Sequence, residues 1–576
     1  MITKIFNQKY KFLILSSIFL LGTFIYFNTL YNSFHLDDIP SIVDNLAIRN
    51  ILNLQSIWNF WPTRFITYLS VALNYHLSQL DVFSYHFFNL IVHLSSAILV
   101  WWFMLLTFST PVMAEQKITK HAKLIAFFAG LVFLTHPIQT QAVTYIIQRA
   151  TSLAALFYLA SLSLYAKSRL LQQQGESLVA SRFFYCGSLI AVVMAMFTKE
   201  MTITLPFMVL FYETCFLKTK ERLNWRYLVP FFAALLIIPL TMFLTKSVDF
   251  IGMRMVSEVP SNISSWQYLL TQFRVIVTYL RLLFIPINQN LSYDYPIAKS
   301  LLELPTLASF IFLVSILIIA SRIFSKYRLI SFGIFWFFLT LFPESSVIPI
   351  RDVIFEHRLY LPMVGFSLFL VSLIYYFFKD KALKSTVVVL LIIISCYAIL
   401  TYRRNLIWKD ELTLWNDVVH KSPKKAKPYY NRGVAYDDQG SIQQAISDYT
   451  KAIEINPNLA EPYNNRGNAY KQGNFIQAIS DFAKAIELNP NYTEAYSNRG
   501  AAYAIQGNFT QAISDYTKAI EINPNYVGTY IHRGNVYFMI KKYNKAWEDV
   551  YKIESLGYDV DFHFLQKLKK ASGRDK

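Results

Sequence analysis

The chain has 576 residues, of which 54% are hydrophobic and only 16% charged, and its formal net charge is +18. A soluble globular protein carries about 25% charged residues; the deficit here falls on roughly the first 400 positions, which excludes a single soluble domain. The excess Lys and Arg sit in short loops between apolar runs, as membrane topology requires, so the basic charge does not point to nucleic acid.

A span needs about 20 mostly apolar residues. Candidates run over 12–31, 84–106, 122–136, 141–166, 183–198, 201–217, 227–245, 303–321, 329–343, 359–378 and 385–402. The first follows Lys4, Lys9 and Lys11 and lacks a small-residue cleavage site, so it reads as a signal anchor. Cys186, Cys215 and Cys396 lie in apolar runs without metal-ligand spacing and read as packing residues.

Charge sets the orientation. With the N-terminus in the cytoplasm, alternate loops carry Lys117, Lys120 and Lys123; Lys167, Arg169 and Arg182; Lys218, Lys220, Arg222 and Arg226; Arg322, Lys326 and Arg328; then Lys379, Lys381 and Lys384. The opposite loops are poorer in cations, which is the positive-inside pattern. Residues 268–286 are apolar but carry Arg274 and Arg281, and counting them as a span would break the alternation. They are expected to form an interfacial or re-entrant helix on the outer face. Eleven spans then put the C-terminal end outside the cytoplasm.

Beyond the last span the sequence repeats itself: NRGVAYDDQGSIQQAISDYTKAIEINPN, NRGNAYKQGNFIQAISDFAKAIELNPN, NRGAAYAIQGNFTQAISDYTKAIEINPN, and a worn copy beginning HRGNVYFMIKKYNKAWEDVYKI. Asn456-Pro457, Asn489-Pro490 and Asn523-Pro524 mark the period. The units resemble tetratricopeptide repeats (TPRs), paired antiparallel helices of about 34 residues. Small Gly433 and Ala445 let the helices approach, Tyr436, Tyr449 and Ile453 fill the groove, and Pro457 stops the second helix. Such units stack into a solenoid with a concave face, and residues 407–423 read as a leading half-unit. The expected fold is therefore all-α: a polytopic bundle of about 11 spans over 1–405, a TPR solenoid over 406–557 and a basic tail over 558–576.

Ionisable residues near membrane depth are costly and are functional candidates by default. On this topology four groups share the outer face: Asp37 and Asp38 in FHLDDIPSIVDN; His136 and Arg149 in THPIQTQAVTYIIQRA; Lys199 and Glu200 in FTKEMTITLP; Glu356, His357 and Arg358 in FEHRLYLP. Each has a plainer reading. The aspartates can cap a helix, Lys199–Glu200 can be a solvated turn pair, Arg149 can snorkel to a headgroup, and His136 before Pro137 can be a turn residue.

The order of these motifs, with the TPR tail, resembles the multi-span lipid-dependent glycosyltransferases. The likeness is closest to the transmembrane-and-TPR-containing protein O-mannosyltransferases and their bacterial relatives. It rests on the Asp-Asp of the first outer loop, the H-P turn before R-A-x-x-L, the K-E turn before T-x-x-P, E-x-R-x-Y-L-P, and the segment ending SYDYP at 292–296. Gln139 and Gln141 stand where His and Glu are expected in eukaryotic members, which leaves the sugar and acceptor open.

The resemblance implies transfer of a sugar from a polyprenyl-phosphate donor to an acceptor hydroxyl, with a protein or peptide acceptor, on the extracytoplasmic side of a lipid membrane. Asp37 or Asp38 would be the general base. His136, Arg149, Lys199, Glu200, Glu356, His357 and Arg358 would bind donor phosphate and sugar, the cations matching the leaving-group charge. No cofactor is required by the sequence; an Asp37–Asp38 pair can hold a divalent cation, but two carboxylates do not establish one. No nucleophile-plus-base pair suggests a covalent intermediate. In the repeats, Asn431, Asn465 and Asn498 beside Arg432, Arg466 and Arg499 are the expected acceptor-binding residues. Asp448, Asp481 and Asp515 recur at one position and read as structural or groove-lining. The rival reading is a non-catalytic, membrane-anchored TPR scaffold.

Overall fold

The computed structural model describes residues 8–217, 223–245, 263–350, 352–378, 382–471 and 473–574. Lys4, Lys218, Lys220, Arg222, Lys379, Lys381 and the side chain of Lys9, which enter the charge-alternation reading, lie outside the described residues. Every regular element among the described residues is helical. The chain divides into two compact units, Met1–Leu414 and Trp415–Lys576.

The first unit is a multi-pass membrane bundle. Nine helices among the described residues are long and apolar enough to cross a bilayer: Tyr10–Thr29, Val82–Phe108, Lys117–Thr135, Ile146–Gln173, Leu178–Met196, Glu200–Leu217, Trp225–Thr245, Leu304–Ile323 and Leu383–Leu406. Arg328–Leu341 and Pro362–Phe378 are shorter apolar helices. Together they overlie the eleven apolar segments of the sequence.

The two short helices are packed backbone to backbone. A methyl group on Gly333 would lie 2.5 Å from the carbonyl oxygen of Gly365, and one on Gly365 equally close to that of Gly333. Trp336 then reaches across to donate its indole N–H to Leu361 O at 2.9 Å. Small residues at a contact replace the hydrophobic drive that lipid cannot supply between helices.

Residues Ser265–Phe284 form one 20-residue helix, which is not among the helices apolar enough to span. Its start is a capping box: Ser264 accepts from Gln267 N, and Gln267 accepts in return. One face buries Tyr268, Gln272, Val275 and Tyr279, while Arg281 donates to Ile287 O at 3.1 Å. The segment between the first two spans holds helices Leu54–Phe60 and Phe65–Ser78.

In the second unit, paired helices Ala426–Asp438/Ile442–Ile455, Ala460–Tyr470/Phe475–Leu488, Thr493–Ile505/Phe509–Ile522 and Val527–Met539/Tyr543–Ser555 follow the repeat, and Phe562–Ser572 closes it. Each of the first three second helices ends before an Asn-Pro. There Asn456, Asn489 and Asn523 accept the backbone N–H two residues on, at 3.1 Å each, an Asx turn that ends the helix. Within each pair the repeated arginine grips the repeated aspartate two-pronged: Arg432–Asp448 at 2.6 and 2.7 Å, Arg466–Asp481 at 2.8 and 2.8 Å, Arg499–Asp515 at 2.8 and 2.8 Å, and Arg533–Asp549 at 3.1 and 2.7 Å. Arg466 and Arg533 also reach the preceding unit, donating to Thr450 and Thr517 at 3.1 and 3.0 Å.

These pairs differ in kind from the exposed Lys484–Glu487 pair. Asp481→Ala strands a partly buried guanidinium, and we expect it to lower the unfolding free energy of the repeats by about 1.5–3 kcal/mol. Lys484→Ala should shift it by no more than about 0.5 kcal/mol. Urea unfolding followed by circular dichroism compares the two.

Candidate functional site

The Asp-Asp pair divides into two environments. Asp38 is buried, with Oδ2 accepting His35 N–H at 3.0 Å and Oδ1 accepting Ile147 N–H at 2.7 Å. The second contact satisfies an orphan donor where the Ile146–Gln173 segment begins, so Asp38 caps a helix distant in sequence. Burial pushes its carboxyl up to about 7, against the pull of those two N–H donors. Asp37 is exposed; its backbone N–H donates to the Tyr145 hydroxyl at 2.9 Å. Asp38 thus does not stand beside Asp37 as a second base or as half of a cation site. Among the described residues no three or more His, Cys, Asp or Glu side chains gather as metal ligands.

Three further candidates are occupied in holding backbone. Arg149 is buried and donates to Asn74 Oδ1 at 2.6 Å, Ser70 O at 3.3 Å and Tyr85 O at 3.1 Å, with its guanidinium 4.7 Å from the Phe88 ring centre. Arg358 donates to Asp352 O at 2.8 Å and Val353 O at 3.2 Å, closing the loop ahead of Pro362–Phe378. His136 accepts Ile138 N–H at 3.1 Å and meets Leu283 O at 2.9 Å, so its plainer reading as a turn residue describes its contacts. Glu356 accepts from Asn290 N and the Tyr293 hydroxyl, both at 2.6 Å, and from Gln289 Nε2 at 3.1 Å. It ties down the loop that ends in SYDYP.

The remaining candidates converge with a residue the sequence reading missed. Arg64, on the segment between the first two spans, grips Glu200 through Nε at 3.2 Å and Nη2 at 3.0 Å, and Thr63 adds a hydroxyl donor at 2.9 Å. Beside it, Lys199 Nζ lies 3.1 Å from Glu344 Oε1 and 2.8 Å from Thr151 Oγ1. Burial draws the Lys199 ammonium below its usual range, opposed by Glu344. His357 faces Lys199, Arg358 and Arg64; burial first, then those cations, hold its imidazole well below the usual value. Its backbone N–H donates to Gln141 Oε1 at 2.8 Å, while among the described residues its own Nδ1 and Gln141 Nε2 have no hydrogen-bond partner.

Tyr68, buried on the Phe65–Ser78 helix, joins the two halves. Its hydroxyl lies in electrostatic reach of Asp37 on one side and of Arg64 and Glu200 on the other, and burial raises its pKa. Arg64 and Tyr68 carried no motif; the one available signal was a cation in an outer loop otherwise poor in them.

In the repeat unit, the expected acceptor role of Arg432, Arg466 and Arg499 is corrected by their ion pairs, which consume the guanidinium forks inside each repeat. The asparagines differ. Asn465 donates to the Tyr430 hydroxyl at 3.3 Å, Asn498 to Asn464 at 3.1 Å, and Asn431 Nδ2 has no partner.

Residues 426–459 and 493–526 match the family described as Tetratricopeptide repeat, and 470–507 the family described as TPR repeat. Curated relatives that align over about three quarters of this chain are named protein O-mannosyl-transferases. Protein O-mannosyl-transferase TMTC3 of Homo sapiens is 25% identical over 78% of this chain and 52% of its own. Protein O-mannosyl-transferase F38B6.6 of Caenorhabditis elegans is 26% identical over 75% of this chain and 61% of its own, and Tmtc3 of Drosophila melanogaster 26% over 75% and 54%. The chain spans about half the length of the curated relatives it matches.

Arg149→Ala removes the donor for an amide and two carbonyls, in contacts that are buried or partly buried. At about 1–3 kcal/mol per stranded group, the variant should lose its folded peak in detergent size-exclusion and melt earlier. Asp37→Asn, at an exposed side chain, should elute and melt like the parent.

Proposed function

We propose that this protein is a membrane glycosyltransferase that moves a sugar from a polyprenyl-phosphate-linked donor to a hydroxyl of a protein acceptor, on the extracytoplasmic side. The observation that carries the reading is that an exposed carboxylate, Asp37, and a half-buried cation, Arg64, both act on Tyr68, with the buried Lys199 in electrostatic reach of Arg64 and Glu200. The names of the homologues point to the same chemistry and to mannose.

In this reading Asp37 takes the proton of the acceptor hydroxyl as its oxygen attacks the anomeric carbon. The carbon–oxygen bond to phosphate breaks, its electron pair leaves with the phosphate, and the anomeric centre inverts. Lys199 and Arg64 face the charge that develops there, preorganised by Glu344 and Glu200 in a site shielded from water. His357 Nδ1 and Gln141 Nε2 supply unpartnered polar atoms beside those cations for the sugar or phosphate. Arg149, Arg358, Glu356, His136 and Asp38 set the shape of the site. The TPR unit binds the acceptor polypeptide, with the asparagine row of Asn431, Asn465 and Asn498 meeting an extended backbone.

Asp37→Asn should lower transfer about 10²- to 10⁴-fold, as loss of a general base does. Lys199→Ala should lower kcat and kcat/KM for the lipid donor roughly tenfold to hundredfold, the worth of a charge-assisted contact. The assay is radiolabelled transfer from polyprenyl-phosphate-mannose to a Ser/Thr peptide, and unchanged kinetics in both variants would remove this site from the reaction.

Sidedness has its own test. A reporter that is active only in the cytoplasm, fused after Lys576, should stay dark; a signal there would require an even number of spans and a redrawn outer face.

A further inference from the structure

We propose that His35 and Glu411 are positioning residues for the Asp37 base, so that the segment following the last span forms the back wall of the catalytic turn. This rests on the reading of Asp37 given above. The sequence had assigned 407–423 to the repeat half. In the structure, Trp408 and Glu411 fold against the first outer loop instead.

The His35 ring is fully buried, with Nδ1 3.0 Å from Glu411 Oε1 and Nε2 2.8 Å from the Trp408 carbonyl oxygen. A carboxylate and a carbonyl only accept, so both ring nitrogens must carry hydrogen to make both bonds. The clamp therefore needs the imidazolium; a neutral ring would turn a lone pair toward an oxygen. The charges around it are Glu411 and Asp410 on the following segment and Asp38 across the turn, opposed by burial; His86, on the Val82–Phe108 helix, turns its Nε2 to Asn32 O at 3.0 Å. Lys409 contributes its carbonyl, which accepts Ser33 N–H at 3.3 Å. Burial is the largest influence and lowers the His35 pKa, yet Glu411 and the Trp408 carbonyl outweigh it and hold the pKa above the usual histidine value.

What the clamp fixes is a tight turn. His35 N–H reaches Asp38 Oδ2 at 3.0 Å, Asp38 N–H returns to His35 O at 2.8 Å, and Leu36 between them is left-handed at φ 46°. A left-handed leucine persists only where its surroundings over-determine it. Asp37 sits on this turn. Its other anchor, Tyr145, stacks on the Trp408 ring at 5.5 Å and 28° while accepting Asp37 N–H. Both sides of the base are thus referred to residues 408–411.

The test uses the full-length protein in nanodiscs, with polyprenyl-phosphate-mannose and a Ser/Thr peptide. His35→Gln and Glu411→Gln should lower kcat about 10- to 100-fold, the scale of a reacting group displaced by about 1 Å. KM for either substrate should move less than about twofold, and Glu411→Asp should recover part of kcat. Because the charged ring is lost as pH rises, the alkaline limb of kcat should move to lower pH in Glu411→Gln. Independently, ¹⁵N spectra of histidine-labelled protein at pH 7, with His35→Gln to assign the signal, should show both ring nitrogens protonated.

Wild-type turnover with unchanged kcat and pH profile in Glu411→Gln, whose side chain is 34% exposed and tolerant of change, would overturn the proposal. So would a neutral His35 ring at pH 7. A wild-type protein that never turns over would count against the transferase reading instead, and the ring's protonation would still decide the clamp.

Discussion

The end of the bundle that carries these residues is governed by one constraint: a polar group carried below the reach of water must find its partner in the protein. Arg149 answers it with an amide and two carbonyls, Asp38 with two backbone N–H groups, Glu356 with a tyrosine hydroxyl and a backbone N–H. Each contact joins segments far apart in sequence, so these residues act as staples between loops. The outer loops are ordered because their charges have nowhere else to go. Order in those loops is in turn what lets Asp37, Arg64 and Lys199 keep fixed positions.

The same constraint explains what sequence could show and what it could not. Eleven apolar segments, the repeat period and the amphipathic 268–286 stretch were legible because each is a local property of consecutive residues. The four polar clusters were legible as costly and therefore purposeful. Their purpose was not legible, since an arginine that holds carbonyls and one that faces a phosphate are the same letter. Only position separates them. Asp37 and Asp38 make the point at closest range: adjacent in sequence, one exposed and one turned inward to cap the Ile146–Gln173 segment. Arg64 and Tyr68 were missed for the converse reason, as they acquire meaning only where Phe65–Ser78 lies against the turn at 197–200, with Ile66 N–H bonded to Phe197 O at 3.0 Å.

The repeats show a milder form of this rule. Their recurring Asn-Arg dipeptide suggested a row of ligands, and repetition alone cannot distinguish a binding row from a structural one. The arginines pair at every unit with an aspartate 15 or 16 residues later. An interaction whose both members repeat is a device of the unit itself. The asparagines break the pattern: Asn465 and Asn498 use different neighbours, and Asn431 Nδ2 has none among the described residues. Side chains that settle differently in successive copies are not needed to close the unit, which is what a surface left for a partner requires.

Applied to the membrane unit, that criterion sorts its ionisable groups. Where hydrogen bonds are made mostly to backbone, as in Arg149, Arg358 and Asp38, substrate could enter only by breaking contacts that hold the fold. Where a charge is balanced by another side chain, as Lys199 by Glu344 and Arg64 by Glu200, a ligand can exchange for the partner at modest cost, because one ionic contact replaces another. In the proposed reaction the leaving phosphate is such a ligand. On that reading the carboxylates serve two states, holding the cations in place before the donor binds and yielding part of them when charge develops on it. An arrangement of this kind favours the transition state over the resting one, since the cations gain most when the phosphate carries most charge.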